Sequence, residues 1–60
     1  MKDYNVMIDY DNMGYIAQYL YVGSSDTMLG AIGDAISSFQ EFMKENKIAV
    51  EIVAVSAEID

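Results

Sequence analysis

The sequence predicts an α+β domain in which one helix packs on a three-stranded sheet, in the chain order strand, strand, helix, strand. Three observations support this prediction. Two segments within the first 22 residues alternate side chains with the period of two that is typical of strands. A longer segment then repeats apolar residues every three or four positions, as an amphipathic helix does. A short run rich in branched residues follows it and predicts a last strand.

The first predicted strand covers residues 4–10, where the large apolar side chains share one face: Tyr4, Val6, Ile8 and Tyr10. The polar residues Asp11 and Asn12 and the flexible Gly14 follow, so we expect a short hairpin loop there. A calcium loop is a poorer interpretation of this segment, because no glutamate closes it. The second predicted strand, residues 15–22, is rich in aromatic and branched side chains.

The helix is predicted over residues 26–45. Ser24, Ser25 and Asp26 precede it and are side chains that cap helix starts. The apolar stripe of the helix comprises Met28, Leu29, Ile32, Ala35, Ile36, Phe39, Phe42 and Met43. Gly30 and Gly33 each weaken a helix by about 1 kcal/mol relative to alanine, so we expect them to mark a close approach to the sheet or to a partner. Asn46 is predicted to end the helix in the left-handed conformation.

Residues 48–55 are predicted to be the third strand, and residues 56–60 a short acidic tail. Because the helix returns the chain, the third strand should run parallel to the second and antiparallel to the first. A right-handed crossover then places the first strand in the centre of the sheet, which gives the strand order 2-1-3.

Alternation within the strands assigns a side chain to each sheet face. We expect the helix to cover Tyr4, Val6, Ile8, Tyr10, Ile16, Leu20, Val22, Ile48, Val50 and Ile52. The opposite face would carry apolar residues that favour a homodimer, either face to face or by extension of the sheet: Met7, Tyr15, Ala17, Val53 and Val55, with Tyr19, Tyr21 and Ala49 beside them. A domain this small without disulfides or zinc also gains most from association.

Composition restricts the function further. The 60 residues are predicted to form one domain with ten acidic residues, three lysines and no histidine or cysteine, for a net charge of −7. We therefore expect no enzyme activity, no cofactor and no metal site, and no direct contact with nucleic acid, whose phosphates require a basic surface. No apolar run is long enough for a membrane span. The acidic start of the chain is unlike a signal peptide, so a cytoplasmic protein is expected.

Several short segments form a recognisable set: Tyr4 and Val6, the polar turn that closes on Gly14, the run Tyr19-Leu20-Tyr21-Val22-Gly23, and the helix opening Ser24-Ser25-Asp26. These segments give the chain a resemblance to the small acidic uracil-DNA glycosylase inhibitors of phi29-like Bacillus phages. It covers roughly the first half of the chain. Those phage proteins are dimeric DNA mimics of similar length, charge and element order, in which a pocket at the dimer seam receives a leucine of the glycosylase. The resemblance implies a partner-binding surface formed by Tyr19, Tyr21, Asp26, Met28, Leu29, Ile32 and Asp34.

The sequence thus predicts a phage-type inhibitor that acts in the host cell cytoplasm and binds a DNA-processing enzyme by imitating DNA, with uracil-DNA glycosylase as the first target. An alternative is a dimeric interaction or regulatory module that binds one protein through its apolar sheet face. In that case the acidic residues serve solubility only.

Overall fold

The computed structural model describes residues 1–60. Four elements follow one another along the chain: β1 (Lys2–Asn12), β2 (Tyr15–Ser25), α1 (Met28–Asn46) and β3 (Glu51–Ile59). The strands form one antiparallel sheet in the order β2-β1-β3, and α1 packs on one of its faces. The predicted fold class, strand order and strand directions are confirmed. No helix is long and apolar enough to cross a membrane.

The core lies between α1 and the central strand. One face of β1 is buried along most of its length, as predicted, through Tyr4, Val6, Ile8 and Tyr10. The helix covers this face with Ala31, Ala35 and Phe39. Only seven of the 60 residues are buried, so the free energy of unfolding should lie near the low end for folded domains, roughly 3–9 kcal/mol for this length.

Four aromatic rings hold α1 on the sheet at one end of the core. Phe39 is fully buried, and its ring centroid lies 5.0 Å from that of Tyr10 and 5.2 Å from that of Tyr19. Phe42 extends the cluster, with centroids 5.2 Å from Tyr19 and 5.9 Å from Phe39. The tilted and edge-on arrangements are those that aromatic quadrupoles favour.

A two-residue turn joins β1 to β2. Met13 and Gly14 both have positive φ, 55° and 91°, as a type I′ turn requires. The backbone N–H of Gly14 donates to a carboxylate oxygen of Asp11 at 2.9 Å. The predicted hairpin loop is therefore present but shorter than expected, and Asn12 is already paired with Tyr15.

The predicted orientation of β2 is wrong. Because the turn pairs Asn12 with Tyr15, odd-numbered residues of β2 lie opposite the buried, even-numbered residues of β1. The helix side of β2 consequently carries Ala17, Tyr19 and Tyr21, whereas Ile16, Leu20 and Val22 lie on the opposite face. Both sides of this strand are apolar, so hydrophobicity alone does not select one. The tyrosines bury larger rings, and the Tyr19 hydroxyl gains a hydrogen bond with Ser38 Oγ at 2.6 Å.

The predicted bounds of the third strand are also wrong. Residues 48–50 have no regular structure, and β3 continues to Ile59 through the residues that were expected to form a tail. The reason is the length of β1, whose first residues need a partner: Tyr4 pairs with Ile59 and Asn5 with Glu58. The backbone N–H of Asp60 adds a bond to the carbonyl oxygen of Asp3 at 2.9 Å.

Strand β3 contains a bulge. Asp9 pairs with Ala54 but the next residue, Tyr10, pairs with Ile52, so Val53 is an extra residue without a partner on β1. A bulge of this kind interrupts the ladder and bends an edge strand.

Both helix ends lie later than predicted. The N-cap is Thr27, whose hydroxyl oxygen accepts from the backbone N–H of Gly30 at 3.0 Å. The left-handed residue at the other end is Lys47, with φ 55° and ψ 43°, and not Asn46. The backbone N–H groups of Lys47 and Ile48 donate to the carbonyl oxygens of Lys44 and Met43, which is a Schellman motif. Asn46 instead donates its side-chain amide to the carbonyl oxygen of Phe42 at 2.8 Å.

Candidate functional site

The predicted partner-binding residues fall into two groups that differ in accessibility. Tyr19 and Tyr21 lie beneath the helix and pack against the core. A methyl carbon at Gly23 would lie 2.6 Å from the Tyr21 hydroxyl oxygen, so Gly23 leaves room for this ring. Both tyrosines are half-buried. They therefore belong to the packing of the fold and are only partly accessible to a partner.

The second group surrounds the start of α1. Leu29 is 80% exposed and Met28 39%, and Asp26 is exposed beside them. Ile32 is half-buried and packs against the core. The structure therefore presents one fully exposed leucine and one acid at the helix start, which is a small surface compared with the one that the resemblance implies.

Gly30 and Gly33 have different roles. A methyl carbon at Gly30 would lie 2.6 Å from Ser25 Oγ and 3.1 Å from Thr27 Oγ1, so this glycine lets the capping hydroxyls approach the helix. A methyl carbon at Gly33 would meet nothing within 4 Å. The expected close approach is present at Gly30, whereas at Gly33 nothing in the fold requires a glycine.

An acidic row follows the side of α1 that lies above β2. Asp34, Glu41 and Glu45 are all exposed and lie three or four positions from Ser38 or from one another, so they share one side of the helix with it. Ser38 bonds to Tyr19 and thereby places this side above β2. At 1.5 Å per residue the acidic row spans about 16 Å. Only Asp34 of these three acids was predicted to contact a partner, although their spacing in the sequence could have indicated all of them.

The sheet has a second face that no element covers, which we call the free face. Strand register assigns to it Asp3, Asn5, Met7, Asp9 and Asp11 of β1, Ile16, Gln18, Leu20, Val22 and Ser24 of β2, and Glu51, Ala54, Ser56 and Glu58 of β3. Three apolar side chains lie along β2, while five acids lie on the other two strands, and Asp11 and Glu51 are direct neighbours. The free face contains no lysine.

A shallow depression of about 260 Å³ lies in the free face. Its lining residues are Asn5, Met7, Leu20, Ser56, Ala57 and Glu58. Close by in β1, the Oδ1 atom of Asp9 is buried without a hydrogen-bond partner. An unsatisfied buried acceptor costs about 1–3 kcal/mol, and a donor from a bound partner would relieve that cost.

The residues predicted to form a dimer face do not share one face. Met7 lies on the free face, but Ala17 and Val55 pair with core residues of β1 and belong to the helix side. Tyr15 has the same register as Ala17 but is 79% exposed at the end of the hairpin, and Val53 projects from the bulge. Leu20, which was expected under the helix, is the residue that joins Met7 instead.

Comparison with models of protein families, with characterised proteins and with solved structures finds no match to this chain. No group of three or more acidic side chains is placed to hold a metal ion. The features that the surface does present are electrostatic and apolar. They comprise the acidic row beside β2, the exposed residues at the helix start, and a free face with an apolar side and an acidic side.

Proposed function

We propose that this chain is an acidic inhibitor protein of the phage type, which binds a DNA-processing enzyme in place of DNA and acts as a homodimer. The density of exposed carboxylates is the observation that supports this proposal most. Nine of the ten acidic residues are exposed and Asp9 is half-buried. With only three lysines in the chain, at least seven of the acids have no basic partner of their own.

Because the molecule is short, its carboxylates are closely spaced along its longest dimension. The longest dimension is 36 Å, so ten carboxylates correspond to one per 3.6 Å. One strand of duplex DNA carries a phosphate about every 3.4 Å along the axis. A basic groove that neutralises phosphates would therefore meet a comparable number of negative charges on this protein.

The target class follows from the residues that resemble the phage inhibitors of uracil-DNA glycosylase. The exposed Leu29 and Met28 at the helix start add an apolar contact beside Asp26, in the region where that resemblance implies binding. Complementary charge would accelerate the encounter with the enzyme, and the apolar contact would slow dissociation.

A glycosylase assay on uracil-containing DNA tests the proposal. Micromolar protein should inhibit uracil release, and the inhibition should weaken steeply as the salt concentration rises, because the ion contacts with the basic groove are screened. Full glycosylase activity at low salt with micromolar protein present would contradict glycosylase as the target.

A matched pair of variants locates the surface. Asp34→Asn, Glu41→Gln and Glu45→Gln together neutralise the acidic row, and we expect them to raise the inhibitory concentration about tenfold or more. Glu51→Gln, Glu58→Gln and Asp60→Asn remove the same charge from β3 and the residue that follows it, and should have a smaller effect. If the β3 variant loses more inhibition than the helix variant, the acidic row is not the binding surface.

The free face supports a second candidate function, an interaction module with one protein partner. Ile16, Leu20 and Val22 expose 62%, 55% and 57% of their surface on it. Docking through these side chains would depend little on salt, because the burial of apolar surface involves no ion contacts that salt could screen. Binding that persists unchanged at high salt would favour this function over DNA mimicry.

A further inference from the structure

Most of the net charge of the molecule lies on the free face. This face carries five acidic side chains and no lysine: Asp3, Asp9, Asp11, Glu51 and Glu58. The rest of the molecule carries the other five acids and all three lysines, which leaves it a net charge of −2. The free face therefore accounts for five of the seven net negative charges.

Apolar side chains lie beside these acids on the same face. Ile16, Leu20 and Val22 form an apolar band along β2, and each exposes more than half of its surface. Met7 of the central strand pairs with Leu20 and is half-buried next to it. Exposed apolar surface of this kind becomes more stable when a partner removes it from water. A partner that covers the whole face must therefore be apolar on one side and cationic on the other.

The depression in the free face joins these two sides. Met7 and Leu20 line it with apolar surface, and Glu58 contributes a carboxylate. Arginine and lysine side chains combine an apolar stem with a charged head. In the depression, such a stem would pack on Met7 and Leu20 while its head bonds to Glu58. The lining of the depression therefore favours a basic side chain over a purely apolar one.

Asp9 provides a second position for a cationic donor. Its Oδ1 atom is buried without a hydrogen-bond partner, and the free face has no basic residue that could supply one. Asp9 follows Met7 by two residues on the same face of β1, so the two lie about 7 Å apart along the strand. A guanidinium or ammonium group of a partner would give this carboxylate a charge-assisted hydrogen bond.

We propose that the free face binds an amphipathic helix of another protein, whose apolar stripe covers the band on β2 and whose arginine or lysine residues face the acids of β1 and β3. This inference goes beyond the proposed inhibition, uses a different surface from the acidic row, and does not rest on it. A second copy of this chain is a poor occupant, because it would bring five more acids and no lysine to the same interface. Like charges in a dehydrated interface are costly.

A helix fits this face better than an extended segment does. A strand lying flat on the face would leave its own N–H and C=O groups unpaired, whereas a helix pairs them internally. The axes of the outer strands are about 10 Å apart, which is close to the width of one helix. On the opposite face, α1 already covers the sheet in this way. The distance from Asp3 to Asp11 is about 27 Å, the length of a helix of about 18 residues.

Two synthetic peptides of about 18 residues test the chemistry of the partner. Both carry leucines along one stripe of the helix, and beside that stripe one peptide has arginines and the other glutamates. The arginine peptide should bind about tenfold more tightly or better, as fluorescence anisotropy of the labelled peptides measures. Its affinity should fall between about 0.05 M and about 0.5 M sodium chloride, because the acids take part in the contact.

Two variants with the same net charge locate the peptide. Asp9→Asn, Asp11→Asn and Glu51→Gln together remove three charges from the free face and should raise the dissociation constant of the arginine peptide about tenfold or more. The acidic-row variant described above also removes three charges and should leave this constant within about twofold of the unmodified chain. Circular dichroism shows whether each variant is folded.

Two leucines provide a matched pair for the apolar contact. Leu20 on the free face is 55% exposed and Leu29 at the helix start is 80% exposed. Leu20→Ser should raise the dissociation constant of the arginine peptide about tenfold, because a buried leucine contact is lost. Leu29→Ser removes the larger exposed surface but should change this constant by less than about twofold.

Methyl NMR signals of the unmodified chain give a readout that needs no variant. The signals of Ile16, Leu20 and Val22 should shift when the arginine peptide is added, whereas those of Leu29 should not. Equal affinity of the two peptides, binding that does not weaken with salt, equal effects of the two charge variants, or shifts confined to Leu29 would each overturn the inference. A homodimer that Leu20→Ser dissociates would show that a second copy covers the face, which is also a refutation.

The inference and the proposed inhibition can fail separately. The acidic-row variant should lose glycosylase inhibition and keep the arginine peptide, while the free-face variant should lose the peptide. Absence of inhibition by the unmodified chain would leave the peptide measurements as they are. Failure of the arginine peptide to bind would overturn the inference and leave the glycosylase assay unaffected.

Discussion

At the scale of single residues, the two helical glycines show how neighbouring atoms determine whether a glycine can be replaced by alanine. Gly30 lies against the hydroxyls of Ser25 and Thr27, and the amide of Gly30 bonds to Thr27. Gly33 has open space where a side chain would begin. Glycine lowers the intrinsic stability of a helix equally at both positions. Only at Gly30 would the side chain of a replacement residue collide with neighbouring atoms, and that collision would offset the stability gained.

Gly33→Ala is expected to raise the free energy of unfolding by about 1 kcal/mol, because alanine favours the helix and meets no obstacle. Gly30→Ala should gain less or lose stability, since the new methyl group displaces the Ser25 hydroxyl and disturbs the cap. Urea unfolding followed by circular dichroism measures both variants. Equal stabilisation by the two substitutions would show that the cap does not need the space at Gly30.

At the scale of elements, the periodicity of the sequence predicted the order and type of the elements. The orientation of β2 and the bounds of β3 depend on strand pairing and were not predicted correctly. The alternation of β1 identified its buried residues. The helical stripe identified Ala35 and Phe39 but not the buried Ala31, and it wrongly included Leu29, which is exposed because it lies at the helix start. The orientation of β2 depends on the two-residue turn at Met13 and Gly14, because either side of the strand is apolar enough to be buried. Hydrophobicity therefore could not choose between Tyr19 and Leu20 without the register.

The last strand was predicted, but its end was missed for a different reason. Residues 55–60 alternate apolar and polar side chains, which predicts a strand, but the acids at the end of the chain suggested a tail. These residues form a strand because Ile59 and Glu58 pair with Tyr4 and Asn5 of the central strand. At the candidate site, an uncovered second sheet face was predicted, but the same dependence on register explains why its β2 residues and its depression could not be derived from sequence alone.

A chain shortened by residues 56–60 should lose most of its folded population. The truncation removes the β3 partners of the four residues from Tyr4 to Met7, and uncovers one side of the central strand in a domain with a small core. Circular dichroism and thermal melting give the measurement. Glu58→Gln, which keeps the backbone pairing, is the control and should change the melting temperature little. A truncated chain that melts like the intact one would mean that this segment is indeed a tail.

At the scale of the whole molecule, the net charge acts on folding and on binding with opposite signs. Carboxylates that repel one another within the compact chain destabilise it, and added salt screens that repulsion. The same screening weakens attraction to a basic partner. Salt should therefore stabilise the free protein and dissociate the proposed complex.

Raising sodium chloride from about 0.05 M to about 1 M should increase the stability by about 1 kcal/mol, which for a domain of this size is a rise of about 4–8 °C in melting temperature. The variant with Glu51→Gln, Glu58→Gln and Asp60→Asn carries less charge and should respond less. Differential scanning calorimetry measures the shift in both proteins. A melting temperature that falls with salt would show that repulsion among the carboxylates does not limit stability.

The aromatic cluster also determines how the molecule can be observed. The chain has five tyrosines and no tryptophan, and Tyr4, Tyr10, Tyr19 and Tyr21 all lie in or against the core. The near-ultraviolet dichroism of the protein should therefore report on core packing alone, with Tyr15 as the one solvent-exposed ring. Excitation at a wavelength that only tryptophan absorbs would produce no fluorescence from this protein. Any tryptophan of an enzyme that binds it would then provide a fluorescence signal to which the inhibitor itself contributes nothing.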